Sequence, residues 1–118
     1  MNKILVVDDD MDILTLMEMT LSMNNYSVKA IARWEEIYES IDQFNPDLII
    51  LDVSLGGADG REICKNIKRS DRMQRIPVVL FSANAEMGRH VSECGAQAFI
   101  AKPYTLAALL QTIRENLN

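Results

Sequence analysis

Five short apolar runs alternate with longer amphipathic segments along the 118-residue chain. Several runs are apolar throughout and rich in β-branched residues, as is typical of parallel strands that are covered on both faces. The runs are Ile4 to Val7, Val28 to Ala32, Leu48 to Leu51, Val78 to Phe81 and Ala98 to Ala101. This alternation predicts an α/β fold with five β-α units, a doubly wound parallel sheet and helices on both faces.

The segments between the runs carry apolar residues at helical spacing. The repeats are Ile13, Met17 and Leu21 in the first segment, Trp34 to Ile41 in the second, Ile63 and Ile67 in the third, Met87, Val91 and Cys94 in the fourth, and Leu106 to Leu117 in the fifth. Gly88 and His90 interrupt the fourth pattern, so that helix is the least regular. A chain of this length without a long linker predicts one domain over residues 1–118.

Composition excludes several functional classes. Apolar residues make up 48% and charged residues 25%, which is ordinary for a globular protein, and no run reaches the roughly 20 apolar residues that span a bilayer. We therefore expect a cytoplasmic location. A net charge of −5 without a basic block argues against direct nucleic-acid binding. Cys64 and Cys94 lack metal-site spacing and are expected to be reduced core residues.

Polar residues that could bind a ligand or react follow the predicted strands. Parallel sheets of this kind bind ligands at the carboxyl ends of their strands. The residues there are Asp8, Asp9 and Asp10 after the first run, Asp52 after the third, Ser82 after the fourth and Lys102 after the fifth. Carboxylates this close together would repel and raise at least one pKa unless a divalent cation lay among them. Oxygen-only ligands favour Mg²⁺, with Mn²⁺ as a substitute.

An acidic site without a Gly-rich phosphate loop favours phosphoryl transfer to the protein itself. Asp52 is the best-placed nucleophile, because it follows a central strand and precedes the small, open loop Leu55 to Ala58. Lys102 would supply positive charge to the phosphoryl oxygens and Ser82 a hydroxyl donor. The small side chain of Ala83 leaves room for the group.

The ordered motifs resemble the receiver domain of two-component response regulators across nearly the whole chain. The motifs are ILVVDD at 4–9, LIILDVS at 48–54, DG at 59–60, VLFSA at 79–83 and FIAKP at 99–103. The resemblance implies a flavodoxin-like (βα)5 fold with strand order 2-1-3-4-5. It further implies a regulatory domain, not a turnover enzyme, that accepts a phosphoryl group from a sensor histidine kinase or a histidine phosphotransfer protein.

The same resemblance implies roles for single residues. Asp8, Asp9, Asp52 and the backbone carbonyl of Ser54 would bind Mg²⁺, and Asp52 would be the phosphoacceptor. On phosphorylation Ser82 would move toward the phosphoryl group, Phe99 would turn inward and Lys102 would pair with the phosphate. Further implied features are a phosphate-adjacent pair, Ala83 and Asn84, a cis bond between Lys102 and Pro103, and an output surface on the fourth helix, fifth strand and fifth helix. The domain would be a monomer or a phosphorylation-dependent dimer, with an effector that the sequence does not identify.

Two other functions fit parts of the sequence. Asp8 and Asp10 form a D-x-D at a strand end, as in Mg²⁺-dependent phosphohydrolases, but the chain has no segment for a cap and no Thr after the motif. A degenerate receiver acting as a constitutive interaction module would lack one of the acids, Ser82 or Lys102, and none is missing. Asp10 is expected to be only a helix N-cap, and His90 only a surface residue.

Overall fold

The computed structural model describes residues 1–117 of the chain. Five long strands and four α-helices alternate, with a two-strand hairpin and two 3₁₀ segments between them. The strands are β1 (Lys3–Val7), β2 (Ser27–Ile31), β3 (Leu48–Asp52), β4 (Ser54–Leu55), β5 (Ala58–Asp59), β6 (Val78–Ser82) and β7 (Ala98–Ala101). The helices are α1 (Met11–Met23), α2 (Ile37–Phe44), α3 (Gly60–Arg69) and α4 (Leu106–Asn116), and the 3₁₀ segments are Trp34–Glu36 and Ala85–Cys94.

The long strands form one sheet in the order β2-β1-β3-β6-β7, and every pair in it is parallel. Counted among the long strands this is the order 2-1-3-4-5, so the predicted doubly wound, flavodoxin-like fold is confirmed. All five runs form strands, with ends that differ from the prediction by at most one residue. Asp52 and Ser82 are the last residues of β3 and β6, at the strand ends where the sequence predicted them.

The sheet has a hydrophobic core on each face. One core joins alternate strand residues to α1 and α4, through side chains such as Met17, Leu21 and Ile113. The other joins the remaining strand residues to α2, α3 and the segment Ala85–Cys94, through side chains such as Ile41 and Ile67. The central strands are therefore covered on both sides, which is the reason for their apolar sequences. Cys64 and Cys94 are free and buried in the second core, as predicted.

The fourth covering segment is not the α-helix that the sequence predicted. Residues Ala85–Cys94 form a 3₁₀ helix, which has poorer hydrogen-bond geometry than an α-helix. A side chain at Gly88 would meet the ring of Phe99 at 2.9 Å, so a residue with poor helix propensity is required there. The second predicted helix likewise begins with a 3₁₀ turn, Trp34–Glu36, and becomes α-helical only at Ile37.

The loop after Asp52, which the sequence predicts to be small and open, contains a short hairpin. Ser54 pairs with Asp59 and Leu55 with Ala58 in a short antiparallel ladder, and Leu55 is buried. Gly57 takes a φ of +93° at the turn, a conformation that costs glycine little. The loop is thus a hairpin that connects β3 to α3.

No helix within residues 1–117 has the length and apolarity needed to cross a membrane.

Gly60 marks a close approach between the start of α3 and the end of β3. Its N–H donates to the carbonyl of Val53 at 2.8 Å, and a Cβ at this position would overlap the carbonyl oxygen of Asp52. Gly60→Ala must therefore displace backbone, and we expect it to lower the free energy of unfolding by about 3 kcal/mol in urea titrations. Gly56→Ala is the matched control, since its Cβ would make only an ordinary contact of 3.4 Å with Asp9. Equal stability losses in the two variants would contradict the prediction.

Candidate metal and phosphoryl site

Three carboxylates meet at the carboxyl ends of β1 and β3. Val7 and Leu51 are paired across these adjacent strands, so the next residues, Asp8 and Asp52, lie side by side. Asp9 follows on the same rim, and one carboxylate oxygen from each acid lies within 4.8 Å of the others. We call Asp8, Asp9 and Asp52 the acidic triad. Asp8 and Asp52 are buried, and Asp9 is exposed.

Lys102 neutralises part of this charge. Its Nζ donates to Asp8 Oδ2 at 3.1 Å and to Asp52 Oδ2 at 3.0 Å, and its side chain is 18% exposed. β7 is aligned with β6 at this end of the sheet, where the Lys102 N–H donates to the carbonyl of Ser82. The next peptide bond, Lys102–Pro103, is cis. Taken alone, the sequence around Lys102 would suggest a solvated lysine, but in the fold it is a half-buried partner of two buried carboxylates.

Backbone N–H groups hold the remaining carboxylate oxygens. Asp8 Oδ1 accepts from the N–H of Asp10 at 3.0 Å, and Asp52 Oδ1 accepts from that of Ser54 at 3.1 Å. Asp9 Oδ2 accepts from the N–H of Gly56 at 3.0 Å, which ties the exposed acid to the hairpin. Each acid is therefore oriented before any ligand arrives. The role of Gly56 could not be predicted from the sequence, because a backbone donor leaves no signal in the side-chain pattern.

The electrostatics of the site favour binding of a cation. Burial, with the neighbouring charge of Asp52, raises the pKa of Asp8 to about 6. The predicted pKa rise is therefore present, although burial contributes more to it than repulsion. Burial also disfavours the charge of Lys102, but the carboxylates of Asp52 and Asp8 outweigh it and raise the pKa of the ammonium. Two buried carboxylates facing one ammonium leave excess negative charge, and the all-oxygen donor set suits a hard cation such as Mg²⁺.

The other predicted site residues lie around this centre. Ser82 is buried at the end of β6, and its Oγ accepts from the N–H of Asn84 at 3.0 Å. The Asn84 side chain caps the segment Ala85–Cys94 through the N–H of Glu86. Ala83 is exposed beside Ser82, and Ser54 is exposed on β4. Phe99 is half-buried on β7. Its ring lies against Gly88 and packs on the core beside α2 and α3.

Two residues have only the structural roles that the sequence predicted for them. Asp10 is the N-cap of α1, and its carboxylate accepts from the N–H groups of Asp12 and Ile13. His90 is exposed, and among the described residues its imidazole has one hydrogen-bond partner, Glu93. Neither contributes to the acidic triad.

Comparison with known proteins agrees with this geometry. The sequence model of the response regulator receiver domain matches residues 4–114. The chain belongs to the response regulator receiver family. Mg²⁺ binding and phosphorylation are typical of this family, which acts in two-component signalling.

Solved receiver structures superpose closely on this receiver domain. The chemotaxis protein CheY4 of Vibrio cholerae is 26% identical with a TM-score of 0.90, and the match covers 99% of both chains. The BeF3-activated N-terminal receiver domain of Klebsiella pneumoniae RstA is 30% identical with a TM-score of 0.88, again over 99% of both. Thermotoga maritima TrrA, solved with Mg²⁺-BeF, is 26% identical with a TM-score of 0.89 over 99% of this chain and 100% of TrrA.

The raised pKa of Asp8 predicts a pH-dependent cost to the metal-free fold. The native carboxyl keeps its proton up to about pH 6, whereas the unfolded one loses it near 3.8, so stability falls as pH rises through this window. Asp8→Asn should remove that cost and raise the free energy of unfolding at pH 7 by about 1 to 3 kcal/mol, with a smaller gain at pH 4.5.

Urea titrations in EDTA at both pH values would measure the effect. Asp71→Asn is the control, since Asp71 is exposed and lies outside the acidic triad. A stability gain in Asp8→Asn that is the same at pH 4.5 and pH 7 would count against burial of the ionised carboxylate as its cause.

Proposed function

We propose that this receiver domain accepts a phosphoryl group on Asp52, with Mg²⁺ bound by the acidic triad, and acts as a phosphorylation-dependent switch. The observation that carries the proposal is the double ion pair of Lys102 with Asp8 and Asp52. It brings one ammonium and two carboxylates from three strands to a single point. Such an arrangement is costly to bury and is of use when a doubly charged cation and a phosphoryl group come to share it.

The proposed transfer has a simple balance. The P–N bond of a phosphohistidine donor breaks, an O–P bond forms to a carboxylate oxygen of Asp52, and the histidine nitrogen recovers the electron pair. Asp8, Asp9, Asp52 and the backbone carbonyl of Ser54 would hold Mg²⁺ or Mn²⁺. The bound cation would supply positive charge to the phosphoryl oxygens. Lys102 would pair with an oxygen of the transferred group, and Ser82 would donate a hydrogen bond to it.

The phosphohydrolase alternative fits the site less well. It requires Asp8 as nucleophile and Asp10 as acid, but the Asp10 carboxylate is used to cap α1. A degenerate receiver is disfavoured because the triad, Ser82 and Lys102 are all present, and Lys102 lies within hydrogen-bond distance of two of the acids. We therefore propose a regulatory role over residues 1–118 and no turnover reaction.

The proposed phosphodonor is a sensor histidine kinase or a histidine phosphotransfer protein. It would dock on the exposed apolar side of α1, where Leu16, Met19 and Met23 are each more than half exposed. An apolar groove of about 200 Å³ between α1 and α4 continues this surface, past Tyr104 and Leu106. We propose no direct binding to nucleic acid or membrane, and a cytoplasmic location.

The proposed output surface is the segment Ala85–Cys94 with β7 and α4. Ser82 contacts the start of that segment through Asn84, and Gly88 within it abuts Phe99. A shift of Ser82 toward a phosphoryl group would disturb the first contact, and a turn of Phe99 the second. The partner of this surface would be an effector, or a second copy in a phosphorylation-dependent dimer.

Phosphorylation can be tested directly. Incubation with acetyl phosphate and Mg²⁺, or with a phosphorylated histidine kinase, should add one phosphoryl mass to the intact protein, labile at high pH. Asp52→Asn should abolish the added mass, because no other acid is proposed as acceptor. Asp71→Asn should retain it. A phosphoryl group on Asp8 instead would favour the phosphohydrolase alternative, and no added mass from either donor would contradict the proposed function.

Metal binding predicts a thermal shift. A ligand that binds only the native state stabilises it by RT ln(1 + [L]/Kd), about 2.7 kcal/mol at one hundred times Kd. Mg²⁺ should therefore raise the melting temperature of the wild type, and Asp9→Ala should remove most of that rise. Asp12→Ala, an exposed neighbour outside the triad, should keep it. An equal rise in Asp9→Ala would reject the proposed ligand set.

A further inference from the structure

An aromatic ring lies beneath the ammonium of Lys102. Lys102 Nζ is 4.4 Å from the centroid of the Phe81 ring, a distance typical of a cation–π contact. Phe81 is fully buried, and it comes one residue before Ser82 on β6. The ring also belongs to the core shared with α1 and α4.

The register of the sheet explains why the two side chains meet. Phe81 is paired with Asp52 on one side and with Ile100 on the other. Adjacent strands lie roughly 4.8 Å apart, so Lys102 must cross the whole width of β6 to reach β3 and β1. The residue it crosses at the level of Asp52 is Phe81. The ring therefore forms the surface over which the lysine side chain extends.

The ring also completes the environment of the ammonium. Two of the three N–H groups of Lys102 donate to Asp8 and Asp52, and the described residues offer no third oxygen within hydrogen-bond distance. The ring face is the remaining electron-rich surface in contact with Nζ. Because the lysine side chain is largely withdrawn from water, the contact is in the range where cation–π attraction is strongest.

We infer that Phe81 is a positioning residue for the phosphoryl-transfer reaction, whose ring holds the Lys102 ammonium in place while its carboxylate partners change. This inference rests on the proposed function. In that reaction Asp52 becomes an acyl phosphate and Asp8 becomes a metal ligand, so both ion pairs of Lys102 are altered. The ring is the one partner that stays the same. It keeps Nζ above β6, ready for the incoming phosphoryl oxygens, instead of letting it move into solvent.

Fluorinated phenylalanine at position 81 separates this role from packing. Stepwise fluorination withdraws electron density from the ring face with little change of shape, so it weakens a cation–π contact and leaves the core filled. We would introduce 4-fluoro-, 3,5-difluoro- and 3,4,5-trifluorophenylalanine at this site in the full chain. The rate of phosphorylation of Asp52 by acetyl phosphate with Mg²⁺, and the affinity for BeF3, should fall in step with fluorine number, to a total of about threefold to tenfold.

Phe44 provides a matched control. Its ring is also in contact with a lysine, since Lys3 Nζ lies 5.7 Å from the ring centroid. Phe44 is on α2, outside the site. The same fluorine series at Phe44 should leave both quantities unchanged. A flat response to fluorination at Phe81, at unchanged melting temperature, would overturn the positioning role while leaving the proposed phosphorylation intact.

A second measurement does not depend on phosphorylation. The ring current of Phe81 should shift the Lys102 ε-methylene protons upfield in NMR spectra of the metal-free protein, and Phe81→Leu should return them toward ordinary lysine values. Ile113→Val, in the same core on α4, should not. Ordinary ε-methylene shifts in the wild type would overturn the inference. If wild-type protein gained no phosphoryl mass from any donor, the proposed function would fail first, and the positioning role would fail with it.

Discussion

The buried ion pairs of Lys102 with Asp8 and Asp52 are the contact on which the site depends. They join the carboxyl ends of β1, β3 and β7, and the lysine reaches its partners by crossing β6. Removing Lys102 would leave two buried carboxylates without a partner, at a cost of about 3 to 5 kcal/mol. The strand order is what makes the contact possible, because it puts two acids on neighbouring central strands and the lysine two strands away.

The same contact leaves the site with more negative than positive charge, which is unfavourable in a buried position. One ammonium faces two buried carboxylates, and burial already raises the pKa of Asp8 to about 6. The backbone donors at Asp10, Ser54 and Gly56 offset part of the cost by orienting the carboxylates. A site kept in this condition gives up stability for binding capacity, a common exchange at functional sites. The hairpin that carries Gly56 contributes to this orientation, so the loop is part of the site and not only a connection.

Much of this could be predicted from the sequence, because strand identity and strand ends are local signals. The apolar runs located all five long strands, and their ends located Asp8, Asp52, Ser82 and Lys102. What could not be predicted depends on distance through space. The carbonyl of Asp52 forbids a side chain at Gly60, and the ring of Phe99 forbids one at Gly88, because the fold turns each of these segments back on itself. Phe81 looked like any strand residue, because its contact with Lys102 exists only once β6 lies between β3 and β7.

The contacts around Ser82 suggest why the segment Ala85–Cys94 is the part of the fold best suited to change. Ser82 Oγ receives the N–H of Asn84, whose side chain caps the segment, so a hydroxyl that turned to a phosphoryl group would loosen the cap. The segment itself is a 3₁₀ helix, a conformation with weak internal hydrogen bonds that competes closely with others. Gly88 keeps it low in helix propensity and in contact with Phe99. A small change of charge at Asp52 would therefore act on an element of low local stability, whereas the central strands, buried on both faces, would stay fixed.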